Sequence, residues 1–192
     1  MKRINLSISV ALLIFIGCGS VKTSPATTEH TDQEQSSILQ SEKQDMLDAL
    51  NAVRSVARDC HNGAGMLPSA KPLTWNSELY ASAYEHSSDM AQSNTFSHYG
   101  SGTESDVTAF NSGGGKSYFF ERIISNGYTE YSILGENIAG GQRTLDEVMK
   151  AWLASPSHCA NMMNDDFSEV GIAVVTKEDS AFGIYWTQNF GG

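Results

Sequence analysis

Trp152-Leu153-Ala154-Ser155-Pro156-Ser157-His158-Cys159-Ala160-Asn161 is the stretch on which the fold turns. It is entered through Thr144-Leu145-Asp146-Glu147, where Thr can bond the amide three residues on and Glu can reach back to the Thr amide. Leu145, Val148 and Trp152 then fall on one helical face. Ser155-Pro156 stops that helix, because proline removes a donor and restricts the residue before it. A short helix restarting at Ser157 would carry His158 and Cys159.

Downstream, Val170, Ile172 and Val174 alternate as in a strand, and so do Phe182, Ile184 and Trp186. Lys177-Glu178-Asp179-Ser180 supplies a polar turn between them, which predicts an antiparallel hairpin. Upstream, Ser41-Glu42-Lys43-Gln44 fits a capping box, followed by Met46, Leu50, Val53 and Ala57 at helical spacing. That helix is expected to end near Asp59-Cys60, before a loop marked by Gly63, Gly65 and Pro68. Asn76 caps a second helix with Leu79, Ala83, His86 and Met90 on one face, fading at Ser93-Asn94. His86 reads as a satisfied core histidine rather than a ligand. Residues 99–117 are loop-rich, and Tyr118 to Ser125 forms a short helix stopped by Asn126-Gly127. Helices flanking one small antiparallel sheet make an α+β sandwich.

The N-terminus reads as an address. Met1-Lys2-Arg3 is positive, and Ile4 to Gly17 carries no charge but is too short to span a bilayer. Residues 1–17 are therefore expected to be a signal peptide. Phe15-Ile16-Gly17-Cys18 resembles the lipobox of bacterial lipoproteins, with Phe15 in place of the usual Leu. Cys18 would then be acylated; the alternative is an ordinary signal peptide with an incidental cysteine. Gly19, rather than Asp, points to the outer membrane if the host is Gram-negative. Residues 18–41 are poor in apolar side chains and are expected to be a lipidated N-terminus and flexible tether, with residues 42–192 as a single domain. The chain has three cysteines. Acylation of Cys18 leaves Cys60 and Cys159 to pair in an oxidising compartment, against the alternative of two buried free thiols.

A formal net charge of −10 on 192 residues excludes a basic face for nucleic acid and electrostatic docking on anionic lipid. A monomer is expected. Gly115-Lys116-Ser117 ends like a phosphate loop, but position 110, where that motif needs glycine, is Phe110. No Gly-x-Ser-x-Gly occurs.

Four segments in order are Phe96-Ser97-His98, Gly135-Glu136-Asn137-Ile138-Ala139, the stretch from Trp152 to Asn161, and Tyr185-Trp186-Thr187-Gln188-Asn189-Phe190. Together they resemble the CAP superfamily of cysteine-rich secretory, antigen 5 and pathogenesis-related proteins, in its bacterial exported SCP-like branch, over about residues 43–190. The resemblance implies a three-layer α-β-α sandwich with an open cleft, and bacterial members carry cysteines where Cys60 and Cys159 stand. It points to His98, Glu136 and His158 as cleft residues and candidate ligands of zinc, since imidazole and carboxylate both suit that ion. A second glutamate of the eukaryotic branch is Ser155 here, so the carboxylates fall from two to one. The alternative is that the three residues hydrogen-bond to one another and brace the cleft. Asn137 is expected to fix its loop through backbone bonds. Trp75, Trp152 and Trp186 read as core or cleft wall, His61 and His30 as surface, and Asp165, Asp166 and Glu169 as a solvated helix end.

The function expected first is a non-enzymatic exported lipoprotein binding a lipid, small molecule or protein through a His/Glu-lined cleft. A metal-dependent hydrolase of envelope peptide, lipid or glycan, working through a zinc-activated water, is the alternative. A structural surface protein with an inert cleft is the third. No catalytic residue is assigned.

Overall fold

The computed structural model describes the backbone of residues 26–192 and the side chains of residues 40–192. The expected signal peptide and Cys18 lie outside the described residues. The chain divides into two compact units, Met1–Ser36 and Ser37–Gly192. Of the first, only the helical backbone of residues 26–36 is described; everything below concerns the second.

The first helix, α1, is Ala26–Arg54. Ser41 therefore lies within a helix instead of capping one, and the coil expected over residues 26–41 is corrected to helix. Gln, Glu and Ser cost a helix little, and extension from an already packed segment adds a hydrogen bond for each residue fixed. α1 also stops earlier than Asp59-Cys60. The buried Arg54 side chain ends it by donating to the carbonyls of Lys71 (2.7 Å), Met162 (2.7 Å) and Asn164 (2.9 Å). Beyond it β1 (Arg58–Asp59) pairs antiparallel with β2 (Met66–Leu67) in what the sequence suggested was only loop. Cys60 leaves this ribbon and is disulfide-bonded to Cys159, a sequence separation of 99 residues.

The main sheet has four strands: β3 (Thr74–Trp75), β4 (Leu134–Gly140), β5 (Glu169–Thr176) and β6 (Ile184–Gly191), in the order β3-β5-β6-β4. The β5–β6 hairpin is antiparallel as expected, with Val174 opposite Trp186. Phe182 lies outside the strand and is exposed, packing on Phe96 at 5.0 Å. β3 pairs parallel with β5, so the sheet is not wholly antiparallel. β4 forms the edge opposite β3, antiparallel to β6 with Asn137 opposite Gln188.

Helices cover both faces. On one face α1, α5 (Leu145–Ala154) and α6 (Pro156–Met163) enclose Leu50, Val148, Trp152, Met162, Ile172 and Phe190. The Thr144 capping box forms as read: the Glu147 amide donates to Thr144 Oγ1 and the Thr144 amide to Glu147 Oε2, both at 3.2 Å. α6 begins at Pro156, one residue before the expected restart, because proline is well placed in a first helical turn. On the other face lie α2 (Ser77–Ser93), the one-turn α3 (Val107–Asn111) and α4 (Phe119–Ser125). Asn76 caps α2, accepting from the amides of Glu78 (2.9 Å) and Leu79 (3.0 Å). α2 sits so close to β5 that a Cβ on Gly171 would fall 2.0 Å from the Tyr80 nitrogen. This is the three-layer α-β-α sandwich.

Candidate functional site

Along β4 the side chains alternate between the two layers. Glu136 enters the α2 layer, where its side chain is 1% exposed. Its Oε1 accepts from His98 Nδ1 and its Oε2 from Arg122 Nη2 of α4, both at 2.8 Å. Arg122 is itself buried and also donates to the carbonyls of His98 (3.0 Å) and Ser117 (3.1 Å). His86 Nε2 lies 4.0 Å from Glu136 Oε1 and donates instead to the Ser97 carbonyl at 2.8 Å; it is a core histidine as expected, but only half satisfied, since its buried Nδ1 has no partner among the described residues.

The charge balance follows from this geometry. Burial alone would raise the Glu136 carboxyl. Neighbouring His86, the His98 hydrogen bond and the Arg122 guanidinium outweigh burial and hold it below the usual carboxylate range. Burial pushes His86 down, only partly offset by Glu136. His98 meets the carboxylate through Nδ1, and its side chain is 50% exposed, which leaves Nε2 available for a further hydrogen bond.

Asn137 points into the opposite layer. Its Nδ2 donates to Gln188 Oε1 (3.0 Å) and the His158 carbonyl (3.2 Å), and its Oδ1 accepts from Asn161 Nδ2 (2.9 Å). It thus pins α6 to the sheet through a backbone bond, from a strand rather than from a loop. Asn161 also donates to the Glu136 carbonyl (3.3 Å), and Trp152 Nε1 to the Ile138 carbonyl (3.1 Å).

Two recesses follow one another along β4. The first, of about 500 Å³, is lined by His98, Tyr99, Tyr118, Phe119, Glu136 and Asn161. The second, of about 260 Å³, is lined by Phe96, Ile138, Trp152, Ser155 and His158. The three residues expected to share a site are therefore divided, two in the first recess and His158 in the second. His158 is pushed down by its own burial and then by His98.

The donor set does not fit a resident zinc ion. Both Glu136 oxygens are engaged, one by a guanidinium whose charge repels a cation. Among the described residues no group of three or more His, Cys, Asp or Glu side chains is disposed to hold a metal. Asp165 pairs with Lys71 at 3.1 Å, and Glu169 opens β5 rather than sitting at a solvated helix end, accepting from Tyr128 Oη at 2.8 Å and Asn76 at 3.1 Å. His61 is exposed beside Asp59. His30 has no described side chain.

Arg122, Tyr99 and Tyr118 were not singled out from sequence. The signal for Arg122 is a lone basic residue in the short apolar run Phe119-Phe120-Glu121-Arg122-Ile123-Ile124, but nothing local names its partner.

The model of the cysteine-rich secretory protein family, CAP, matches residues 47–190. The uncharacterized protein YkwD of Bacillus subtilis is 36% identical over 126 residues, which is 64% of this chain and 40% of that protein. The uncharacterized membrane protein YlbC of the same organism is 28% identical over 122 residues, 62% of this chain and 28% of that protein. Among solved structures, an extracellular Bacillus anthracis protein containing an SCP domain superposes with a TM-score of 0.56 at 24% identity, covering 79% of this chain and 40% of that one. An outer surface protein of Borrelia burgdorferi gives 0.51 at 22% identity, covering 82% and 92%. At these identities the two structures establish the shared fold.

Proposed function

The chain belongs to the CAP, or cysteine-rich secretory protein, family, and on that premise we propose that it is an exported binding module whose cleft along β4 holds an envelope ligand without transforming it. One observation carries this reading: among the described residues the one carboxylate lining the first recess, Glu136, is held by Arg122 and His98. A general base needs a free lone pair within reach of the substrate proton, and a metal-activated water needs ligands gathered around one centre. The metal condition is not met among the described residues, His98 bonds Glu136 rather than a nucleophilic hydroxyl or thiol, and Cys159 beside His158 is closed off as a nucleophile by its disulfide.

Export is supported by the charged start and apolar run of residues 1–17. The extracellular and outer-surface titles of the two structural neighbours agree with it. Anchoring belongs to the same proposal: Cys18 is acylated, and several chains hold the protein where one would bind only marginally. Cys18→Ser should move the protein from the membrane fraction to the medium or periplasm.

The cleft is tested with two measurements on one preparation. Amide shifts of the isotope-labelled full-length chain are followed on adding solubilised cell-envelope material. The mass profile of that material is compared before and after incubation, with and without zinc. The reading expects shifts around His98, Tyr118 and Asn161 and an unchanged profile. Zinc-dependent turnover overturns it in favour of a hydrolase, and the absence of shifts around the cleft removes the cleft as the binding site.

A further inference from the structure

The wall of the first recess is an exposed aromatic platform. Its lining rings Tyr99 and Tyr118 are 52% and 47% exposed, and Phe120, 40% exposed, lies beside Tyr118 outside the lining. Tyr118 lies nearly parallel to Phe120, with ring centroids 5.5 Å apart and planes at 24°, and Tyr99 meets Tyr118 edge-on at 5.2 Å. Phe119, adjacent in α4, packs inward with Leu79, Ile123, Tyr128 and Leu134, which fixes the platform to the core. His98 lines the same recess, and its Nε2 forms no hydrogen bond among the described residues.

Three properties narrow the occupant. The recess offers aromatic faces beside polar atoms, a combination that suits a ligand apolar on its ring faces and polar at its edges. Its one acid, Glu136, is paired with the Arg122 guanidinium at 2.8 Å, so the site calls for no compensating charge. The chain as a whole carries −10, which disfavours anionic polymers and lipid headgroups. An extended peptide adding to the β4 edge is disfavoured as well. The Glu136 and Ile138 carbonyls, which such a strand would use, already accept from Asn161 and Trp152.

Building on the binding reading above, we propose that the first recess is a subsite for an uncharged glycan, with a sugar ring stacked on Tyr118 and a ring hydroxyl hydrogen-bonded to His98 Nε2. The probe is the tetrasaccharide of N-acetylglucosamine, titrated into the labelled full-length chain and followed by amide shifts. Saturable shifts at His98, Tyr99 and Tyr118 are expected. Tyr118→Ala should weaken binding about tenfold, equivalent to about 1.4 kcal/mol. Tyr118→Phe, which keeps the ring, should stay within about twofold, as should Tyr84→Ala on the outer side of α2. Tyr99→Ala gives an independent second loss should Tyr118→Ala fold poorly. Equal affinity in Tyr118→Ala and wild type overturns the stacking assignment. A Val-Thr-Val-Thr peptide that shifts Glu136 to Gly140 where the saccharide does not makes the ligand a peptide and overturns the glycan class. If saccharide and peptide both fail while envelope material still shifts the cleft amides, the glycan class falls and the binding reading stands. If the envelope material fails too, both fall.

Discussion

The two faces of the four-stranded sheet are held by different chemistry. Toward α1, α5 and α6 the strands present Val170, Ile172, Trp186 and Phe190 to Leu50, Val148, Trp152 and Met162. Toward α2 they present Glu136, Thr187 and Asn189, which meet His86, Ser87 and Ser82; Ser87 Oγ donates to Thr187 Oγ1 at 2.8 Å and Asn189 Nδ2 to Ser82 Oγ at 3.1 Å. The apolar face derives its stability from area removed from water and depends little on direction. The polar face gains less per contact and depends on each donor meeting its acceptor. That dependence places Arg122, Glu136 and His98 in one fixed arrangement beside the recess. The face that stabilises the fold and the face that positions the site are largely separate.

The sharpest way to break this contrast is to truncate one large residue on the apolar side. Trp152→Ala should cost about 3–5 kcal/mol in urea unfolding, because it opens a cavity and also frees the Ile138 carbonyl. A cost near that of a surface change would mean the apolar face is not the main support. On the polar side the largest effect is expected from Arg122→Met, about 3 kcal/mol, since it strands a buried carboxylate. Adding Glu136→Gln should recover part of that loss. No recovery in the double variant would show that Arg122 acts through its carbonyl contacts instead. Ser87→Ala should cost only about 1 kcal/mol, the net worth of one hydrogen bond.

Acid offers a finer test. Glu136 is depressed in the folded state, so its contribution is complete above its unfolded value of about 4.3 and is lost as pH falls through the folded value. His86 is depressed by burial, so the unfolded chain binds its proton first. Stability should fall once pH drops below about 6.5 and level off beneath the folded value. Urea midpoints measured at pH 7, 5.5 and 4 should decline in both steps, and Glu136→Gln should flatten the lower one. A lower step as steep in Glu136→Gln as in wild type would assign it to other carboxylates, such as the depressed Asp106.

What could be read from sequence was local. Asn76 and the Thr144 box lie within a few residues of the amides they cap, and the β5–β6 hairpin shows its period in Val170, Ile172 and Val174. β4 shows no such period: Leu134-Gly135-Glu136-Asn137-Ile138-Ala139-Gly140 is a strand because β6 pairs with it, not because its side chains alternate. The Arg122–Glu136 pair joins a helix to a strand, and no pattern within either predicts the other. The family likeness located His98, Glu136 and His158 but could not place His158 in a separate recess. The start of α1 at Ala26 was missed for the opposite reason, since a permissive polar segment follows whatever structure it adjoins.

The bond between Cys60 and Cys159 also has a mechanical meaning. Tension applied to the two ends of the chain would be carried across that bond and would bypass the 99-residue loop it closes. The loop contains α2 and β4, so the contour of that segment would stay closed to extension while the residues outside it were drawn out. In an oxidised molecule about 350 Å of contour should stay locked, and reduction should release it as added extension in a force spectrum. The covalent shunt thus caps how far the molecule can be drawn out, whatever the strength of its core.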